Sequence, residues 1–156
     1  MYSAAVELDL GYLGQFVGMR FNDLVLEKAR AEGYGDLRYS HGYVVQHLIE
    51  GPKKVTELAD LLGVSQQAAS KSVAELVELG YLTSTVSADR RAREVALSER
   101  GRTALARARK TRAKIEQKLL AKHGAELVRA KALLAAVLEE LGGAEVVRAR
   151  RVREPR

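Results

Sequence analysis

The stretch from Val55 to Gly101, VTELADLLGVSQQAASKSVAELVELGYLTSTVSADRRAREVALSERG, admits few folds. A short helix is predicted from Thr56, whose hydroxyl can cap it, to Leu62. Ala59, Gly63 and Ala69 then have the spacing of a helix-turn-helix. A small residue lets the two helices cross closely, glycine takes the turn, and a second small residue packs back. Ser65 caps the next helix, Gln66 to Leu79, and Gly80 stops it. Its inner face is Ala69, Val73, Leu76 and Val77, which leaves Gln66, Gln67, Ser70, Lys71 and Ala74 pointing outwards. Tyr81 to Val86 alternates as a strand and Glu94 to Leu97 pairs with it. The loop between them, Ser87 to Arg93, carries three arginines.

The flanks are helical. Leu10, Leu13, Val17, Phe21 and Leu24 form one stripe of a helix over about residues 7–32, with Tyr12, Phe16 and Met19 beside it. A helix that is apolar on more than one face is buried on more than one side, which in so small a chain points to a partner subunit. Gly11, Gly14 and Gly18 each cost this helix roughly 1 kcal/mol against alanine. Close approach of another helix is one candidate to offset that cost, and room for a small ligand is another. Ser40 is the expected N-cap of a second helix, His41 to Glu50, buried through Val44, Val45, Leu48 and Ile49 and ended by Gly51-Pro52. Ser98 opens a long helix to about Lys122 with Leu105, Ala108, Ile115 and Leu119 as its seam. After His123-Gly124 a last helix, about Ala125 to Leu141, repeats Leu127, Ala130, Leu134, Val137 and Leu141 in a near-heptad series suited to helix pairing. A basic tail follows.

Charge is unevenly shared along the 156 residues. Residues 1–52 hold 4 basic and 7 acidic side chains, residues 53–101 hold 7 of each, and residues 102–156 hold 15 and 6. The net +6 suits a polyanionic partner. Neutrality of the central stretch is no objection if Glu57, Asp60, Glu75 and Glu78 face away from the surface that presents Lys71 and the loop arginines. Lys53 and Lys54, in the turn before the helix from Thr56, are further candidates for phosphate contacts, as is Arg102 near the base of the hairpin.

Catalytic and metal chemistry find no constellation. GPKKVT lacks the second glycine and the Gly-Lys-Ser/Thr end of a phosphate loop, there is no HExxH, and there is no cysteine. His41 and His47 are six residues apart, where two ligands on one helix face need four. The expectation is therefore a non-enzyme with no metal and no cofactor. The absence of cysteine, of a signal sequence and of an apolar run near the ~20 residues that span a bilayer gives a cytoplasmic expectation with no membrane partner.

The whole order resembles the MarR family of winged-helix regulators. LADLLGVSQQAASKSVAELVELGYL, at Leu58 to Leu82, carries half of the likeness. DRRAREVALSERG, at Asp89 to Gly101, carries the rest: it follows the family's wing pattern of Asp-x-Arg-Ala/Ser, then Val-x-Leu-Ser/Thr, and a glycine three residues on. Ser72 stands where the family commonly has an apolar residue, and the second helix of the motif is poor in arginine. The fold class expected is mainly α with a small β-hairpin wing, a winged helix-turn-helix plus a helical dimerisation region. Residues 37–101 would be the winged domain, 102–122 a connecting helix, and 1–36 with 123–156 the dimerisation region.

The resemblance implies a homodimeric, sequence-specific DNA-binding transcriptional regulator, a repressor relieved by a small molecule. In helix-turn-helix proteins the N-terminal half of the second helix enters the major groove, which selects Gln66, Gln67, Ser70 and Lys71. The family's minor-groove arginine maps to Arg91, with Asp89 orienting an arginine and Arg90 and Arg93 meeting phosphates. Many members hold an aromatic or phenolic ligand between the dimer region and the winged domain, for which Tyr12, Phe16, Met19, Arg20, Tyr39 and Tyr43 are the candidates here. The rival reading is a winged-helix protein-interaction module that does not read DNA.

Overall fold

The computed structural model describes residues 7–86 and 93–143, with Glu145 and Val147. The side chain of Val86 and the expectations for Asp89, Arg90 and Arg91 lie outside the described residues. Helix α1 spans Leu10–Ala31 and is capped by Asp9, whose Oδ1 accepts from the Tyr12 N–H at 3.0 Å. Helix α2 spans His41–His47, a two-residue strand β1 covers Lys53–Lys54, and α3 follows without a break at Val55–Leu62. Helix α4 is Gln66–Glu78, the hairpin is β2 (Leu82–Val86) and β3 (Arg93–Leu97), and the chain ends in α5 (Glu99–His123) and α6 (Ala125–Glu140).

Each turn of the central unit is set by one or two residues. Gly63 takes the left-handed region at φ 66°, so the chain leaves α3 and re-enters a helix within three residues. Ser65 Oγ accepts from the Ala68 N–H, and Ser98 Oγ from the Gly101 N–H, so α4 and α5 both begin on a hydroxyl cap. Two expected caps are absent. Ser40 is itself in helical conformation with no side-chain cap, because α2 is entered through a tight turn. There the N–H groups of His41, Gly42 and Tyr43 donate to the carbonyls of Arg38, Tyr39 and Ser40, three residues back. That helix also ends at His47, short of Glu50. Thr56 does not cap α3, which starts at Val55, because Lys54 is held extended by the sheet and serves as N-cap through its backbone alone.

The sheet has three strands in the order β1-β3-β2, both pairings antiparallel. Leu82 pairs with Leu97 and Val86 with Arg93 across the hairpin, while Lys53 pairs with Val95 and Lys54 with Glu94 on the other side. Lys53 and Lys54 thus form a strand and not the turn expected from the sequence.

The core lies in the central unit. Val44 and Leu48, Leu58 and Leu62, Val73 and Leu76, then Tyr81, Leu82, Val95 and Leu97 pack into one cluster that α5 closes with Ala104. By contrast α1 buries only Val25, and α6 buries no residue at all. Exposed large apolar side chains gather on these terminal elements: Leu10, Tyr12, Phe16, Val17 and Met19 on α1, Val128, Leu133, Leu134 and Leu138 on α6. Exposed apolar side chains grouped in this way are a candidate interaction surface. Among the described residues no helix is long and apolar enough to cross a membrane.

A polar staple ties the approach to α2 to the base of the hairpin. The Tyr81 hydroxyl, on a side chain that is otherwise buried, donates to Asp36 Oδ1 at 2.5 Å, and Arg100 Nη2 reaches Asp36 Oδ2 at 3.2 Å. The Arg100 guanidinium also lies over the rings of Tyr34 and Tyr81, 5.2 and 4.7 Å from their centroids. The Tyr81 hydrogen bond, with the Arg100 charge adding to it, holds the Asp36 carboxyl below the usual carboxylate range, and burial opposes this. A carboxyl depressed in the folded state adds stability above its unfolded value of about 4 and loses it as pH falls through the folded one. The wild-type melting temperature is therefore expected to fall more steeply between about pH 5 and pH 2 than that of Asp36→Asn. Parallel curves for the two proteins would remove the staple from the stability of the fold.

Candidate nucleic-acid interface and adjoining cavity

The outward face of α4 is set by its inward one. With Ala69, Val73 and Leu76 buried, Gln66, Gln67, Ser70, Lys71 and Ala74 stand on the exposed side of the N-terminal half. Gln66, Gln67, Ser70 and Lys71 make no side-chain hydrogen bond or ion pair among the described residues. Their inventory of amide, hydroxyl and ammonium groups can pair with base edges and phosphates. Arg93, the first residue of β3, is also exposed.

Two of the four acidic groups on α3 and α4 are engaged in ion pairs. Glu57 pairs with Lys53 at 3.1 Å, and Glu75 pairs with Arg38. Lys53 is thus occupied at the root of the sheet, while Lys54 is exposed beside Glu94 in the ladder. Arg102 is exposed and bonded to its neighbours: Nη1 donates to the Leu97 carbonyl at 2.7 Å and Nη2 to Glu99 at 3.1 Å. Those bonds fasten the end of β3 to α5.

Between α1, α2 and the first half of α5 is a cavity of about 320 Å³. Val25, Leu26 and Ala29 form one wall, Leu105 and Ala108 another, and Tyr39, His41 and Tyr43 the third. Arg38, Arg109 and Arg112 stand on its lining. The Tyr43 hydroxyl donates to that of Tyr39 at 3.2 Å, their rings meeting edge to face at 5.4 Å. This bond, followed by burial, pushes the Tyr43 hydroxyl up to about 12, so it stays a donor at neutral pH. Arg112 reaches the Asn22 side chain across the α1–α5 seam.

Of the six ligand-site candidates, the structure brings together Tyr39 and Tyr43 on this cavity. Tyr12, Phe16, Met19 and Arg20 are not on its lining. They sit farther along α1, about half exposed or more, with Arg20 paired to Glu27 at 2.9 Å. Most of the wall comes from residues that are not among those candidates, Leu26, Leu105 and Arg109 among them. Two wall residues had a signal, the seam positions Leu105 and Ala108, but periodicity does not distinguish a residue that fills a seam from one that borders a gap in it.

His41 is the one polar side chain buried on this wall. Its Nδ1 accepts from the Arg38 N–H at 3.1 Å, which puts the proton of the neutral ring on Nε2. Among the described residues that Nε2 is buried without a hydrogen-bond partner, 3.7 Å from Glu75 Oε1. Burial, then the Arg38 charge, pushes the ring below its usual titration range, with Asp36 opposing, so it is neutral at pH 7. Among the described residues no cluster of three or more His, Asp or Glu could hold a metal.

Residues 36–92 match a family model described as MarR family. No curated protein matches the chain. Among solved structures, YusO from Bacillus subtilis superposes with a TM-score of 0.68 at 18% identity, over 89% of this chain and 99% of its own. Apo wild-type MarR from E. coli gives 0.65 at 21%, over 84% and 97%. MepR from Staphylococcus aureus, a transcription regulator of the multidrug efflux pump MepA, gives 0.68 at 17%, over 86% and 99%. The likeness in fold therefore runs through the helices on both sides of the sequence match.

Proposed function

We propose, from the premise that residues 36–92 form a MarR-family winged helix, that the chain is a homodimeric, sequence-specific DNA-binding transcriptional regulator. It acts as a repressor that a small aromatic or phenolic ligand relieves. The observation that carries this is the exposed and uncommitted set Gln66, Gln67, Ser70 and Lys71 on the N-terminal half of α4. These four read bases in the major groove, while Arg91 enters the minor groove, Asp89 orients an arginine, and Arg90 and Arg93 hold phosphates. The exposed apolar faces of α1 and α6 support pairing of two chains. Residues 1–36 and 123–156 then form the dimer region, 37–101 the winged domain and 102–122 the connection. Two-fold symmetry sets the two α4 helices about 34–36 Å apart on a pseudo-palindrome.

The cavity beside α2 supports the ligand part of the reading, with Tyr39 and Tyr43 offering hydroxyls and the apolar walls of α1 and α5 receiving a ring. Both half-sites have to be met at once, so a ligand that changes the separation of the two winged domains releases the duplex.

The test is binding of the purified protein to the DNA upstream of its own coding sequence, against a scrambled duplex of equal length, over a range of salt. Affinity is expected to fall steeply with salt, on a log–log slope of about −5 or steeper. Arg91→Ala should weaken the upstream duplex by roughly tenfold and the scrambled one by less, as groove-shape reading requires. Arg90→Ala with Arg93→Ala should weaken both and flatten the slope by about one for each phosphate that is no longer neutralised. No binding to either duplex at low salt would leave the protein-interaction reading in its place.

A further inference from the structure

Arg38 belongs to two places at once. Its side chain stands on the cavity lining, and it pairs with Glu75, which projects from the middle of α4 toward α2. It is 63% exposed, so the guanidinium is free to swing without disturbing the core. Glu75 is two-thirds buried and has a second group within reach, the Nε2–H of His41 at 3.7 Å, just beyond hydrogen-bond distance. A buried donor left unpaired is costly, and the cost is recovered if an acceptor moves in. Glu75 therefore has one partner engaged and another waiting, and the engaged one borders the cavity.

We propose that Arg38 links the cavity to α4: an anionic ligand in the cavity takes the Arg38 guanidinium from Glu75, and Glu75 turns to the Nε2–H of His41. Glu75 follows the residues of α4 assigned above to bases by one helical turn from Lys71, so the exchange shifts that helix against α2. The Arg38–Glu75 pair marks the DNA-competent position and the His41–Glu75 contact the released one. The pair is a positioning device and touches no DNA. The cavity chemistry fits an aromatic carboxylate: Arg38 and Arg109 for the charge, Tyr39 and Tyr43 for a ring hydroxyl. This inference rests on the DNA-binding reading above and adds how ligand and duplex communicate.

The experiment uses the full chain, its upstream duplex and 4-hydroxybenzoate as the probe, with probe affinity from calorimetry and duplex affinity with and without saturating probe. In the wild type the probe should weaken duplex binding by between about 5- and 150-fold, the usual range of coupling between two sites. Glu75→Gln removes the competing charge: it should bind the probe at least about fivefold more tightly, bind the duplex as weakly as probe-saturated wild type, and no longer respond to the probe. Arg38→Gln, at an exposed site that the fold tolerates, should also lose the response but bind the probe more weakly. Those opposite signs are what general loosening of the fold would not produce. A Glu75→Gln protein that still releases duplex by the wild-type factor overturns the link and leaves the DNA reading standing. A wild type that binds no duplex overturns that reading and the link with it, and a wild type that binds duplex but ignores the probe overturns the link.

Discussion

Gly101→Ala is expected to destabilise the fold by about 3 kcal/mol, at the upper end of what overpacking costs. A Cβ built at Gly101 collides with the backbone carbonyl of Tyr81 and lies 3.3 Å from Leu97 Cδ2. The carbonyl has nowhere to go. It accepts from the Ser98 N–H at 3.0 Å, while Ser98 Oγ donates to the Gly80 carbonyl at 2.6 Å and accepts from the Gly101 N–H at 3.0 Å. The first turn of α5 and the start of β2 are thus locked in contact, and only a residue without a side chain fits between them. For a chain of this length the loss corresponds to a fall of roughly 10 °C in melting temperature. Gly42→Ala is the control: the position is on the exposed side of α2 with nothing within 4 Å of the added carbon, and the change should gain up to about 1 kcal/mol of helix propensity. Equal melting temperatures for Gly101→Ala and wild type would contradict the close approach. The same contact gives a physical reason for the glycine that closes the wing pattern in the sequence.

The second large effect concerns assembly. Val17→Asp combined with Leu134→Asp is expected to yield a folded monomer whose affinity for the upstream duplex is lower by about 10²–10⁴-fold. That is what losing an intramolecular second contact costs. Both side chains are about half exposed, at 52% and 49%, and neither belongs to the core around Leu58 and Leu76, so the winged domain should keep its helix content and its melting transition. Sedimentation velocity reads the oligomeric state, and circular dichroism reads the fold. A double variant that sediments as a monomer yet binds the duplex as the wild type does would show that one copy suffices. A variant that remains a dimer would move the interface away from these two faces.

Legibility followed the range of the interactions. Gly63, Ser65, Gly80 and Ser98 each set a turn or a cap through bonds to neighbours three or four residues away, and all four are written in the local sequence. The inward face of α4 was equally plain, because Ala69, Val73 and Leu76 recur with the helical period. Strand β1 was not, since two lysines carry no alternating pattern and pair with Val95 and Glu94 some forty residues later. The caps on Ser40 and Thr56 failed for a related reason: what precedes each helix, a tight turn in one case and a strand in the other, already settles how the helix begins.

The site divided in the same way. The four α4 residues could be placed from helical period alone, whereas the cavity draws its walls from α1, α2 and α5, separated by dozens of residues. Tyr39 and Tyr43 stood out as aromatic residues in a suggestive place, yet so did Tyr12 and Phe16, and only the packing of α1 on α5 separates the two pairs. Arg102 looked available on sequence grounds because its role, bonding the Leu97 carbonyl, depends on where the hairpin returns. Glu75 looked like one more solvated acid until the approach to α2 was folded against it.

The two residues of β1 have a mechanical meaning. They join the hairpin to the first residue of α3 through the main chain, with no intervening loop. A pull on the hairpin tip therefore reaches the helix-turn-helix through backbone hydrogen bonds, which do not depend on which side chains stand at 53 and 54. A change of charge at those two positions would therefore leave β1 paired with β3 and joined to α3.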